Sequence, residues 1–307
     1  MKLILQDASI LSDEQIGLLE NLGYEIAVYN NEEIDGEVFV GILRPPFEEL
    51  KNIKGLKFIQ STIAGYDFID MDAVNELNIL FANGSGVGSA PIAEYVLHSI
   101  LDYYRDAARF RQYQIDKHWG SRKEANGIIQ ELASKRVLVL GTGAIGQATA
   151  KRLQAFDVYT IGVNSNGRQI DCFDECLALD DVYDHLADVD VVVAALPLND
   201  ATRAMFNQQF FEAMKLGSIF INVGRGPQVI EDDLVNALSN HLGHAYLDVF
   251  NVEPLASDSV LWQVENLSVT PHISSSSVLV NERTRQLIMD NLDNYISSKP
   301  LLNLKVK

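Results

Sequence analysis

The chain has 307 residues, enough for more than one hydrophobic core, and its 47% apolar and 21% charged residues are those of an ordinary globular protein. With 24 Lys and Arg against 42 Asp and Glu the formal charge is −18, which argues against nucleic acid and anionic membranes as partners but not against an anionic small molecule met by a few local arginines. No apolar run reaches the ~18 residues of a membrane helix, and the first stretch meets Asp7 too early for a signal peptide.

From the N-terminus, short β-rich runs alternate with helical patterns. Lys2–Gln6, Ile26–Tyr29, Val38–Leu43, Leu56–Gln60 and Ile79–Ala82 read as strands, with helices at Asp13–Leu22 and Asp72–Leu77 between them. The run Asn83-Gly84-Ser85-Gly86-Val87-Gly88 is the strongest loop signal of this first part. A long helix follows to about Arg111, with Ser89 expected as its N-cap and Pro91 in its first turn. Arg136–Leu140 opens a second series, continued by strands at Val158–Val163, Val189–Ala195, Ser218–Val223, His244–Val249 and Leu267–Thr270. Within it lie the only cysteines, Cys172 and Cys176, which supply neither a disulfide framework nor a metal-ligand set; no metal is expected, and a reducing, cytoplasmic setting is. A final helix at about Val278–Ile296 precedes the tail Leu301–Lys307. The alternation predicts an α/β fold of two Rossmann-like or flavodoxin-like domains with mostly parallel sheets and a cleft between them. Residues 1–88 plus 278–307 form one domain and 89–277 the other.

Val137-Leu138-Val139-Leu140 runs straight into Gly141-Thr142-Gly143-Ala144-Ile145-Gly146, and a helical pattern follows at once. A G-x-G-x-x-G loop between strand and helix has a physical use. One glycine makes the turn, one lets backbone approach a pyrophosphate, and one lets helix pack on strand, while free N–H groups face the phosphates. This is a dinucleotide site. The ribose-binding acid of an NAD site belongs roughly 20 residues further on, but 18 residues after Gly146 stands Asn164, followed by Ser165, Asn166, Gly167 and Arg168. No carboxylate repels a 2′-phosphate there and Arg168 can attract one, so NADP is favoured over NAD.

Ligands of open α/β sheets bind beyond the carboxyl ends of the strands. Three successive strands end there in polar groups: Asn222-Val223-Gly224-Arg225-Gly226, Leu247-Asp248-Val249-Phe250-Asn251-Val252-Glu253-Pro254-Leu255, and Thr270-Pro271-His272. An arginine grips a carboxylate through paired donors. A carboxylate beside an imidazole fixes which ring nitrogen faces a substrate.

In this ordered set the chain resembles the D-isomer-specific 2-hydroxyacid dehydrogenase family, with further matches at Leu196-Pro197-Leu198, Thr202, Leu261-Trp262 and, earlier, Ala64-Gly65-Tyr66-Asp67 and Ala93-Glu94. The resemblance implies hydride transfer between NAD(P)H and C2 of a small 2-oxo or 2-hydroxy acid. It assigns His272 as acid/base, Glu253 as its partner, and Arg225 together with the Ala64 and Gly65 N–H groups to the substrate carboxylate. Asp248 would hold the nicotinamide carboxamide, and Pro197, Thr202 and the glycine loop with Ala144 and Ile145 would contact cofactor. A homodimer formed through the long helix and the segment to Trp119 is implied too.

The chain departs from the family pattern at Asn164, at Tyr66 where a smaller aliphatic is usual, and at Asp157 where Gly is usual. Ser274, in the run Ser274–Ser277, is expected to cap the last helix rather than touch substrate. Tyr95, His98 and Trp262 read as packing positions, whereas Arg44 is equally a contact for a substrate tail or a surface residue. Glu253 disfavours formate as substrate. Phosphoglycerate dehydrogenation remains the alternative reaction, and a non-catalytic dinucleotide sensor the remote one.

Overall fold

The computed structural model describes residues 1–305, so the last two residues of the expected tail, Val306 and Lys307, lie outside the described residues. The chain forms two compact units, one of Met1–Gly88 with the segment from Ser277 onward, the other Ser89–Ser276.

The first unit contains strands β1 (Lys2–Leu5), β2 (Glu25–Val28), β3 (Ile34–Asp35), β4 (Val38–Gly41), β5 (Ile53–Lys54), β6 (Phe58–Ser61) and β7 (Leu80–Ala82). Its main sheet runs β7-β6-β4-β1-β2, all parallel, with the strand Leu304–Lys305 added antiparallel beside β7. β3 and β5 pair separately. Leu3, Leu5, Val38, Val40 and Phe58 face one cluster, and Ile4, Phe39 and Ile59 the other. Burial on both faces is why these strands read as unbroken apolar runs. The helix Val280–Ile296 packs Ile288 and Leu292 into the first of those clusters. Its buried Asn291 donates to Gln60 Oε1 (2.6 Å) and accepts from the Leu302 N–H (2.7 Å), which ties the chain's end to this sheet.

The second unit is built on β8 (Arg136–Leu140), β9 (Tyr159–Asn164), β10 (Glu175–Ala178), β11 (Val191–Ala194), β12 (Ile219–Asn222), β13 (His244–Leu247) and β14 (Leu267–Val269). All are parallel in the order β10-β9-β8-β11-β12-β13-β14. The strand order reverses between β8 and β11, the point at which doubly wound sheets open a crevice at their carboxyl edge.

Several expectations need correcting. β10 is absent from the sequence reading because this half-exposed edge strand carries Glu, Cys, Leu and Ala, not β-branched residues. The long helix does not reach Arg111: it ends at Tyr104, Asp106 turns left-handed at φ +50°, and a second helix covers Ala107–Ile115. Aspartate tolerates that conformation better than most residues, and Arg109 Nε lies 2.6 Å from its carboxylate. Ser89 is the helix's first residue rather than its cap, and its buried hydroxyl has no partner among the described residues. Asp157 has φ +56°, which accounts for the glycine usual there. Among the described residues, no helix is long and apolar enough to cross a membrane.

His244, at the start of β13, sits with a ring nitrogen 2.9 Å from Ser268 Oγ and stacks near Tyr246. Burial lowers its pKa to about 4, with Asp102 partly opposing. The unfolded chain protonates this residue below its ordinary ~6.5 while the folded chain resists, so its stabilising effect is complete above that pH and lost as pH falls toward 4. A shift of that size corresponds to roughly 3 kcal/mol. Urea unfolding of the wild type and of His244→Gln between pH 7 and pH 4 should show a steeper loss in the wild type; parallel curves would remove His244 as the cause.

Candidate active site

β8 leads directly into the glycine loop, and each glycine meets a different constraint. Gly141 has φ +107°, and a Cβ on it would lie 2.6 Å from Ala195 O. A Cβ on Gly146 would lie 2.0 Å from Gly141 O, so helix and strand approach too closely for any side chain. A Cβ on Gly143 meets nothing within 4 Å and projects into open space ahead of the helix Ala144–Gln154. Gly143 caps that helix without a side-chain acceptor, which leaves the first-turn N–H groups available. Gln147 Nε2 donates to Thr142 O (2.9 Å) and braces the turn. Open space before free N–H groups and a helix dipole suits the pyrophosphate of a dinucleotide.

At the end of β9, Asn164 does more than replace an acid. Its Nδ2 donates to Arg168 O (2.8 Å) and its Oδ1 accepts from the Arg168 N–H (3.1 Å), so one amide closes the turn. Ser165 and Arg168 are exposed on it, and among the described residues the Arg168 guanidinium has no carboxylate partner.

The loop after β12 presents Arg225. Buried Asn222 accepts from the Gly224 N–H (2.9 Å) and donates to Arg225 O (3.2 Å), while buried Gln228 accepts from the Arg225 N–H (3.0 Å). The same Gln228 amide donates to Pro197 O (3.2 Å), joining this loop to the one after β11. Thr202 Oγ1 also donates to Pro197 O (2.7 Å), so Pro197 and Thr202 form one closed turn. The flanking glycines are steric: a Cβ on Gly226 would overlap the Phe250 carbonyl at 1.9 Å, and one on Gly224 would reach Gln228 Oε1 at 2.6 Å. The Arg225 guanidinium donates to Gly224 O (2.8 Å).

The next two strand ends meet. Asp248 follows β13, is fully buried, and accepts from Thr270 Oγ1 (2.7 Å), the Ile273 N–H (2.9 Å) and the Ser274 N–H (2.9 Å). These donors bracket His272, which has a left-handed φ of +53°. Tyr95 OH lies 2.9 Å from Thr270 Oγ1 and extends the network. His272 Nδ1 lies 2.7 Å from Glu253 Oε2, and Glu253 Oε1 accepts from the Phe250 N–H (2.9 Å). With Nδ1 engaged, Nε2 is the nitrogen left to serve a substrate. The imidazole is half exposed, beside a cavity of about 390 Å³ lined by Phe250, Pro254, Leu255 and Trp262 together with the pair.

Arg225, Asp248, Glu253, His272, the glycine loop, Pro197 and Thr202 thus share the carboxyl edge of one sheet. Ala64 and Gly65 belong to the other unit, in an accessible turn after β6. Tyr66 packs its ring on Phe81 at 6.1 Å, inside that unit's own core. Ser274 does not cap the last helix, which starts after Leu279 without a side-chain cap; its N–H is spent on Asp248. His98 and Arg44 are exposed. Gln228 and the role of Asn222 escape sequence reasoning, since polarity in a loop motif does not announce full burial.

A model of the D-isomer specific 2-hydroxyacid dehydrogenase NAD binding domain matches residues 97–274. A glyoxylate/hydroxypyruvate reductase A of Arabidopsis thaliana is 31% identical over 257 residues, 82% of this chain and 79% of the relative. A D-isomer specific 2-hydroxyacid dehydrogenase family protein from Aeromonas salmonicida superposes with a TM-score of 0.81 at 30% identity, over 99% of this chain and 98% of that one. A D-isomer specific 2-hydroxyacid dehydrogenase from Xanthobacter autotrophicus, solved with NADPH and MES, gives a TM-score of 0.81 at 27% identity over 99% and 98% of the two chains.

Gly143→Ala should fold with wild-type stability yet bind dinucleotide about tenfold or more weakly, whereas Gly146→Ala should lose roughly 1–3 kcal/mol of stability; calorimetric melting and fluorescence titration with NADPH separate the two. Asp248→Asn turns an amide toward N–H donors and should cost on the order of 1–3 kcal/mol in urea unfolding, and a neutral result would show the loop to be held by other contacts.

Proposed function

Since the chain belongs to the D-isomer specific 2-hydroxyacid dehydrogenase family, we propose that it is an NADPH-preferring reductase of small 2-oxo acids of the glyoxylate or hydroxypyruvate type. The observation that carries this is the His272–Glu253 pair at 2.7 Å, one strand end away from the loop of Arg225. When bound, the reduced nicotinamide supplies the hydride to C2. His272 donates the proton that the carbonyl oxygen requires, from Nε2, while Glu253 holds Nδ1 and fixes the orientation of the ring. Arg225 grips the carboxylate and steadies charge growing on the carbonyl oxygen. The Ala64 and Gly65 N–H groups receive the same carboxylate. Asp248 acts by holding the loop that carries His272, its oxygens being turned to that loop.

The NADPH preference is supported by the pre-formed Asn164–Arg168 turn, which offers an exposed arginine and no acid, and by the NADPH in the Xanthobacter autotrophicus relative. The glycine loop, Ala144 and Ile145 hold the pyrophosphate, and Ser165 with Arg168 the 2′-phosphate. A homodimer in the cytoplasm completes the proposal.

Absorbance at 340 nm tests it directly, with NADPH and NADH compared across glyoxylate, hydroxypyruvate, pyruvate, bulkier 2-oxo acids and phosphohydroxypyruvate. Turnover of the small acids with NADPH well ahead of NADH is expected, and use of phosphohydroxypyruvate alone would replace the substrate assignment. His272→Ala should lose about 10²–10⁴ in kcat while retaining NADPH binding, and Arg168→Ala should erode the NADPH preference by about tenfold. Retained turnover in the first variant, or an unchanged cofactor ratio in the second, would remove the corresponding role.

A further inference from the structure

Resting on that function, one clamp in the first unit extends it. The turn after β6 carries consecutive peptides Ile63–Ala64 and Ala64–Gly65, both trans. In a trans peptide the N–H points opposite the C=O, so whatever holds the carbonyl aims the amide. Ile63 O accepts from the Gly84 N–H at 2.8 Å. Ala64 O accepts from Asn83 Nδ2 at 2.5 Å. Both carbonyls are therefore turned toward one dipeptide, Asn83-Gly84, and both N–H groups, those of Ala64 and Gly65, are turned away from it. Neither N–H donates to any other group among the described residues.

Asn83 is itself held on every side. It is 1% exposed, its Oδ1 accepts from the Ser85 N–H (3.3 Å), and its backbone N–H and C=O meet Asn303 O (3.4 Å) and Asn303 Nδ2 (3.3 Å). Asn303 Nδ2 donates to Ser85 O as well (2.8 Å). Gly84 permits the approach: a Cβ there would lie 3.0 Å from the Ile63 carbonyl carbon and 3.1 Å from Thr62 O. A buried amide spent on one carbonyl, beside a glycine pressed against the preceding one, fixes a pair of free donors in space.

We propose that Asn83 and Gly84 are positioning residues that aim the Ala64 and Gly65 N–H groups at the substrate carboxylate, and so set affinity for 2-oxo acids without setting the rate of hydride transfer. Asn83→Asp keeps size and the Ser85 contact but places a carboxylate oxygen against Ala64 O. Gly84→Ala displaces the other carbonyl by a separate route. At saturating NADPH, each variant should raise the KM for glyoxylate and the inhibition constant of oxamate, a carboxylate analogue, by about tenfold, with kcat changed less than about threefold. NADPH affinity should stay as in the wild type. A merely structural role would lower the melting temperature and depress kcat, substrate affinity and NADPH affinity together, and that pattern overturns the proposal. So does an unchanged KM in both variants of a wild type that reduces glyoxylate, which would leave the assigned function standing. If the wild type reduces no 2-oxo acid, the function itself fails, and the clamp's role fails with it.

Discussion

The active edge of the second unit depends on one buried carboxylate. Asp248 has no contact with water, and a buried charge is costly unless hydrogen bonds replace the lost hydration. Here three donors do so, and two of them are the N–H groups that immediately follow His272. A non-glycine residue in the left-handed region costs on the order of 1–3 kcal/mol, so it persists only where its surroundings over-determine it. The Ile273 and Ser274 N–H groups supply that determination at His272. The strained backbone then turns the imidazole onto Glu253, itself oriented by the Phe250 N–H. Rotation at any one of these groups would turn the imidazole away from Glu253, and the network reaches back through Thr270 to Tyr95.

The same logic recurs along the edge with different atoms. Arg225 is flexible by nature, yet its peptide is bracketed by two buried amides and by glycines whose missing side chains allow the loop to press on Phe250. Gln228 is shared between the Arg225 loop and the Pro197 carbonyl, so that loop and the turn closed by Thr202 are tied together by one amide. In each case buried polar side chains are committed to the backbone of the loop they carry, the arrangement that reduces reorganisation when charge develops.

How much of this was legible in the sequence follows from what kind of signal each residue gives. Glycine spacing between a strand and a helix declares the phosphate loop, because only glycine satisfies the approach of Gly146 to Gly141 O. Arg225, Glu253 and His272 stand at strand ends where chemistry is expected, so type and place together mark them. The supporting amides give no such mark: Asn222 ends a strand beside a polar, glycine-rich loop, Gln228 and Asn83 stand in such stretches, their ordinary reading is a solvated turn, and only the fold buries them. Local errors have local causes. The long helix stops before Asp106 because a left-handed residue interrupts an otherwise unbroken pattern, and Ser274 looks like a cap because the pull of a carboxylate distant in sequence is invisible to local reasoning.

Asn164 illustrates how an apparent absence in a motif can be a structural device. Judged by its position, it is the residue that fails to be an acid. Judged by its bonds, it ties Arg168 at both its N–H and its C=O, and so fixes the backbone from which the guanidinium extends. An aspartate could accept from the N–H but could not donate to the carbonyl, so the acid would loosen the turn while also repelling a phosphate. The missing negative charge and the closed turn thus come from one amide, and the side chain that is not an acid is the same one that holds the Arg168 backbone in place. A substitution that aims to restore NAD at this position acts on both at once, whereas a change at Arg168 alone alters the charge and leaves the turn intact.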